Sequence, residues 1–262
     1  MIPLKEQEIL KQRFARDLQN RVRVDFFGQK PHGVFVPGRA ERSGVCEDAR
    51  KLLHELAGLN LRISLTTHDI DDDATTAQSL GVEGVPAIVL RGPTNRAIRY
   101  FGNPRMRQFT AFVEALVLVA HGKANLEPDT LKTLRRLKTD VSLKVFVTPP
   151  CTHSPLAVIA AMRMALENSH VKLDVYDVTT FPEMIGPFYV AATPMHVFND
   201  LYAIPGVIDD ARLADDLLLA AQGQEPSKGG DAKRMTPLPR PQPRQRQPQG
   251  PHTTPGGLYV PR

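Results

Sequence analysis

Two short motifs in this 262-residue chain carry residue types suited to sulfur chemistry, and each holds one of its two cysteines. Cys151-Thr152-His153-Ser154 follows the apolar run Val145-Phe146-Val147, and Ser43-Gly44-Val45-Cys46 precedes an amphipathic run from Ala49 to Leu59. Downstream of each stands a proline that opens an apolar stretch: Val85-Pro86 before Ala87-Ile88-Val89-Leu90, and Thr193-Pro194 before Met195-His196-Val197-Phe198. Ser43 to Pro86 and Cys151 to Pro194 both span 43 positions, which aligns Ser43 with Cys151 and Cys46 with Ser154. The chain therefore reads as a duplicated C-x-x-C unit in which each copy keeps one sulfur. Thiol–disulfide exchange needs a thiolate that attacks a disulfide sulfur. Cys151, between a strand and the start of a helix, is placed to be one, because a helix N-terminus favours negative charge and can lower a cysteine pKa to about 3.5–7.5. His153 and the Ser154 hydroxyl could add to that stabilisation.

Ser154 limits the chemistry. A hydroxyl cannot resolve a mixed disulfide, so the accessible reactions use one sulfur: capture of a mixed disulfide until a small thiol releases it, isomerisation, or covalent retention of a partner. The competing reading is a vestigial cysteine on a structural domain. Cys46, with Ser43 in place of a partner sulfur, reads as a small buried apolar residue, and a bridge between Cys46 and Cys151 is not expected.

The elements that must hold these residues are legible as periodicity. Leu10, Phe14 and Leu18 mark a helix over residues 4 to 18, and residues 22 to 27 alternate as a first strand. Ala49, Leu52, Leu53, Leu56 and Leu59 predict a helix, and residues 61 to 70 a strand. Pro86 leads a buried strand, Gly92-Pro93-Thr94-Asn95 turns the chain, and residues 97 to 101 return as its hairpin partner. A helix with Phe109, Phe112, Val113, Leu116 and Val117 closes the unit, and residues 128 to 138 form a connecting helix. The pattern then repeats: strand 143–147, helix 154–167, strand 171–177, the Pro194 strand, strand 201–204 and helix 210–222. Two units of strand-helix-strand and hairpin-helix predict a mixed α/β fold, with units at 1–122 and 123–223 and a tail from 224.

Composition narrows the classes. Hydrophobic content of 42% and charge of 23% are ordinary for a globular chain. No run of 18 apolar residues suggests a membrane span, and the start of the chain lacks the apolar stretch of a signal peptide, so a reducing cytoplasm is expected. There two cysteines are more often catalytic or inert than bridged. The net charge of +5 comes from the tail, where seven Lys or Arg meet two acidic residues. The body is neutral overall, so nucleic acid is not an expected partner. His68-Asp69-Ile70-Asp71-Asp72-Asp73 lacks the glycine and distal glutamate of a calcium loop and reads as a solvated strand end; no metal site is expected.

The arrangement resembles the protein disulfide oxidoreductases of archaea and some bacteria, also called glutaredoxin-like proteins, over roughly residues 4 to 221. The resemblance rests on Ile98-Arg99-Tyr100-Phe101-Gly102-Asn103-Pro104, Val145-Phe146-Val147-Thr148-Pro149-Pro150-Cys151 and Pro155-Leu156-Ala157-Val158. It implies two tandem thioredoxin-like domains with mixed sheets flanked by helices. It also implies a cis bond before Pro194 and a Thr193 backbone that pairs with an extended substrate segment beside the sulfur. Members usually carry an intact C-x-x-C in the second unit and often in the first; here both are degenerate. The resulting expectation is a monothiol exchange protein with Cys151 as nucleophile, His153 and Ser154 tuning it, and Thr193-Pro194 positioning protein or mixed-disulfide substrates. No cofactor is expected beyond a low-molecular-weight thiol as resolving partner. The alternative is a redox-inactive thioredoxin-fold scaffold or adaptor.

Nine of the 23 prolines lie beyond Gln224 among Gln, Gly and Arg, so the tail predicts disorder. Its end, Thr254-Pro255-Gly256-Gly257-Leu258-Tyr259-Val260-Pro261-Arg262, has the layout of a docking peptide, with Leu258 and Val260 on one side and Arg262 as a cation. That layout is similar to the cargo-loading tails of proteins packaged in encapsulin shells, which implies a docking partner and a place inside a protein nanocompartment.

Overall fold

Val22–Gly28 (β1) and Val141–Val147 (β5) are buried along nearly their whole length, because each is the central strand of its unit. The computed structural model describes residues 2–29, 39–226 and 233–235. The first unit runs α1 (Leu4–Asp17), β1, α2 (Arg39–Leu59), β2 (Ile63–Asp69), α3 (Ala74–Ser79), β3 (Ala87–Arg91), β4 (Ala97–Phe101) and α4 (Arg107–His121). The second runs α5 (Pro128–Arg135), β5, α6 (Ser154–Glu167), β6 (Val171–Asp177), a 3₁₀ turn at Pro182–Met184, β7 (Met195–Phe198), β8 (Tyr202–Pro205) and α7 (Asp210–Ala221). In each unit the central strand pairs in parallel with the strand after its helix and antiparallel with the first strand of the hairpin. This is the repeated mixed α/β architecture expected from the sequence.

The two units share one sheet, in the order β2-β1-β3-β4-β6-β5-β7-β8-β9, where β9 is Lys233–Arg234. The seam is the parallel pair β4–β6, with Ile98 opposite Leu173 and Phe101 opposite Tyr176. Phe101 and Tyr176 stack with ring centroids 4.4 Å apart and planes 5° from parallel. Phe181 meets both rings edge-on, at 6.0 and 5.8 Å, and Phe146 stacks on Tyr176 at 5.8 Å. Aromatic pairs of this kind are worth about 1 kcal/mol each beyond their area. Arg99 pairs with Asp174 across the same seam, and α4 packs against α6 over it. Gly102, just past β4, has φ +135°, and a Cβ there would lie 2.6 Å from the Cβ of Asp177. The chain can pass so close only because the residue is glycine.

The tail departs from the expected disorder at two described points. Pro226 is buried, and Lys233–Arg234 pairs antiparallel with β8, covering what would otherwise be a sheet edge. Met235 follows with 6% exposure, its N–H donating to the Leu201 carbonyl at 2.7 Å. A single apolar residue among prolines and arginines gives no periodic signal, which is why composition alone missed it. Leu258, Val260 and Arg262 lie outside the described residues.

Candidate functional site

Strand β5 ends at Val147, and Thr148-Pro149-Pro150 carries the chain to Cys151 and on to α6, which begins at Ser154. Pro155 stands in the first turn of α6, where its missing N–H has no intrahelical role. Cys151 is half-buried. Its S–H donates to the Thr193 carbonyl at 3.2 Å, and its backbone N–H donates to the Thr148 carbonyl at 3.2 Å. Thr148 Oγ1 and Thr193 Oγ1 are 3.0 Å apart. The Thr193–Pro194 bond is cis, and the Gly206 N–H donates to the Pro194 carbonyl at 2.8 Å. Cys151, Ser154, Thr193 and Pro194 thus come together at one end of the sheet.

Burial pushes the Cys151 thiol up, but the donors around the sulfur outweigh it, so the thiol titrates below its ordinary value. Those donors are the Ser154 hydroxyl, the N–H groups of His153 and Ser154, and the Thr193 side chain. Ser154 is fully buried and its hydroxyl makes no conventional hydrogen bond, which leaves it free to turn toward the sulfur. The helix N-terminus acts here through its unpaired N–H groups. His153 is exposed, and the group it brings to the sulfur is its backbone N–H.

The first unit places its counterpart differently. Val85–Pro86 is also cis, and Val85 is buried. But α2 begins at Arg39, four residues before Ser43, whereas α6 begins three residues after Cys151. Ser43-Gly44-Val45-Cys46 therefore lies inside a helix, where N–H groups are bonded to carbonyls of the preceding turn and are not available to an anion. Cys46 is buried against Gly28, and burial pushes its thiol up despite the Gln29 backbone and Arg42. Both cysteines are free. Cys46 also lines a cavity of about 670 Å³ with Ser43, Arg50, His68 and Asp72.

His68 is not the solvated strand end read from the sequence. It stacks on Phe27 at 4.6 Å, and its ring nitrogens lie 3.3 Å from carboxylate oxygens of Asp25 and Asp73. Among the described residues no group of three or more His, Cys, Asp or Glu is placed to hold a metal ion, and no helix is long and apolar enough to cross a membrane.

Two contacts at the site come from outside its own unit and were not singled out from the sequence. The Arg107 N–H donates to the Pro149 carbonyl at 3.2 Å, and Gln108 Nε2 donates to the Thr148 carbonyl at 3.4 Å. Gln108 was detectable in principle. It occupies the buried stripe of α4 with Phe112, Ala115 and Val119, so it is a polar side chain at an apolar position.

Residues 141–217 match a family model described as a thioredoxin domain. Comparison with curated protein sequences gives no match. Among solved structures, a protein disulfide oxidoreductase from Aeropyrum pernix K1 is similar over 87% of this chain and 97% of its own, at 22% identity and a TM-score of 0.76. The NTD_N/C domain of the alkylhydroperoxide reductase AhpF from Enterococcus faecalis is similar over 83% of this chain and 100% of its own, at 22% identity and a TM-score of 0.72. The chain is built of two tandem thioredoxin-like units, and its resemblance to the disulfide oxidoreductases holds at the level of the fold.

Proposed function

We propose that the protein carries out thiol–disulfide exchange with a single sulfur, Cys151. The observation that supports this most directly is the Cys151 sulfur held against the Thr193 carbonyl at the start of α6, among donors that favour the thiolate. The thiolate attacks one sulfur of a substrate disulfide, forming a Cys151–substrate disulfide and expelling the other sulfur as a thiolate that takes a proton from solvent. Thr193 offers backbone to an extended substrate segment beside that bond. Ser154 cannot close the cycle, so an external low-molecular-weight thiol attacks the mixed disulfide, regenerates Cys151 and leaves as a disulfide with the substrate half. If a second substrate sulfur attacks instead, the outcome is isomerisation with no net redox change. The first unit, with its motif inside α2, contributes no nucleophile.

The test is the pH dependence of iodoacetamide alkylation, resolved by mass spectrometry between Cys151 and Cys46. The expected result is a Cys151 midpoint below the free-thiol value of about 8.5, with Cys46 slow throughout and Cys151→Ser silent. Slow modification of Cys151 with an ordinary or raised midpoint would leave a scaffold built on a redox fold, and the exchange reading would fail.

A further inference from the structure

The turn that presents Cys151 is held from the other unit. Thr148 stands at the junction: its carbonyl accepts both the Cys151 N–H at 3.2 Å and Gln108 Nε2 at 3.4 Å, and its hydroxyl meets that of Thr193 at 3.0 Å. The adjoining Pro149 carbonyl accepts the Arg107 N–H at 3.2 Å. Gln108 and Arg107 are the first two residues of α4, so the N-terminus of a first-unit helix grips both carbonyls that precede Pro150. Gln108 is fully buried, and its Oε1 has no hydrogen-bond partner. An unmatched buried acceptor costs about 1–3 kcal/mol. For stability alone an apolar side chain would serve better at this position, in a stripe otherwise filled by Phe112, Ala115 and Val119. A local rule broken beside a reactive group marks a site where geometry matters more than stability.

We propose that Gln108 is a positioning residue for Cys151: through the Thr148 carbonyl it fixes the turn that sets the sulfur against Thr193 and the N-terminus of α6. The first unit has lost its own nucleophile and governs that of the second. This inference rests on reading Cys151 as a nucleophile.

The test uses the full chain with Gln108→Met, which keeps the length of the side chain and removes the donor. The readouts are the pH midpoint of Cys151 thiolate formation, followed by thiolate ultraviolet absorbance with Cys151→Ser as blank, and thermal unfolding. The expected midpoint rises by about half a pH unit and alkylation at neutral pH slows about threefold, the two being the same effect. Tm is unchanged or higher, because the unmatched acceptor is gone. Should Gln108→Met fail to fold, Gln108→Asn, whose donor falls short of Thr148, must show the same rise. A lowered wild-type midpoint that Gln108→Met leaves unchanged overturns this inference alone, as does a rise that appears only together with a fall in Tm. An ordinary wild-type midpoint overturns the nucleophile reading, and this inference with it.

Discussion

Cys151 donates its S–H to the carbonyl of Thr193 at 3.2 Å, so the sulfur lies on the backbone that leads directly into cis-Pro194. Strand β7 starts one residue later and pairs with β5, the strand that delivers Cys151. Nucleophile and substrate platform are thus fixed by the ends of two adjacent strands. The polar groups at this sheet end face the sulfur, and they decide its charge.

Ser154 is the test of that balance. Burial raises the Cys151 pKa, and the donors that reverse the shift are headed by the Ser154 hydroxyl. Ser154→Ala should therefore move the alkylation midpoint of Cys151 upward and slow alkylation at neutral pH by about threefold or more. Above the new midpoint the two proteins should react at similar rates, since both are then thiolate. A uniform loss of rate at every pH would assign Ser154 a role other than charge stabilisation.

His196, two residues past cis-Pro194, is fully buried, and neither ring nitrogen makes a hydrogen bond of ordinary geometry. Desolvation outweighs the neighbouring backbone of Ile204 and Gly206 and, together with Arg212, lowers its pKa from 6.5 to about 4. A group depressed on folding contributes stability above its unfolded pKa and loses it as pH falls through the folded value. Unfolding free energy should fall by about 3 kcal/mol between pH 6.5 and 4, the shift taken at about 1.4 kcal/mol per unit. His196→Leu should flatten that part of the curve in urea titrations across the range. An unchanged slope would place the acid sensitivity elsewhere.

At the seam, Gly102→Ala puts a Cβ 2.6 Å from the Cβ of Asp177, at a φ of +135° that side chains rarely adopt. Neither atom sits at the end of a flexible arm, so backbone must move, and a loss of about 2 kcal/mol or more is expected. Because the two units share the sheet there, thermal unfolding should shift to lower temperature as one transition, not as a separate step for one unit. A variant with wild-type Tm would show that the seam yields easily.

The sequence made the repeat legible because each unit writes its strands and helices in strong apolar periods. Residues 154–167 and 171–177 coincide with α6 and β6. The short α3 left no such trace, since Ala74–Ser79 buries only Ala77. The seam was not legible either. Pairing β4 with β6 joins residues 75 positions apart, as between Ile98 and Leu173, and depends on twist and packing that no local pattern encodes. At the site, the equal spacing from motif to proline located Cys151 and Thr193 together. The same spacing aligned Ser43 with Cys151 but carried no sign that Ser43 stands inside α2, because the distance to a proline says nothing of where a helix begins.

That difference in helix start separates the two sites chemically. Two single substitutions each recreate a C-x-x-C: Ser154→Cys in the second unit and Ser43→Cys in the first. In the second, the new sulfur at position 154 would sit fully buried behind a half-exposed Cys151 at a helix N-terminus, with free N–H groups to stabilise the attacking thiolate. An intramolecular disulfide should form under mild oxidation, seen as a loss of two hydrogens by mass spectrometry. The reduced variant should convert one equivalent of substrate disulfide to thiols with no external thiol attacking Cys151, ending as that internal disulfide, and each further cycle should need an added dithiol to reduce it. In the first, position 43 is already one turn into α2, its N–H bonded within the helix. Its partner Cys46 has a pKa raised by burial. Ser43→Cys should therefore alkylate slowly near neutral pH and add no exchange activity to a Cys151→Ser background. Fast exchange from Ser43→Cys would mean that the position of the helix start does not control the chemistry, and would make the first unit a competent redox site.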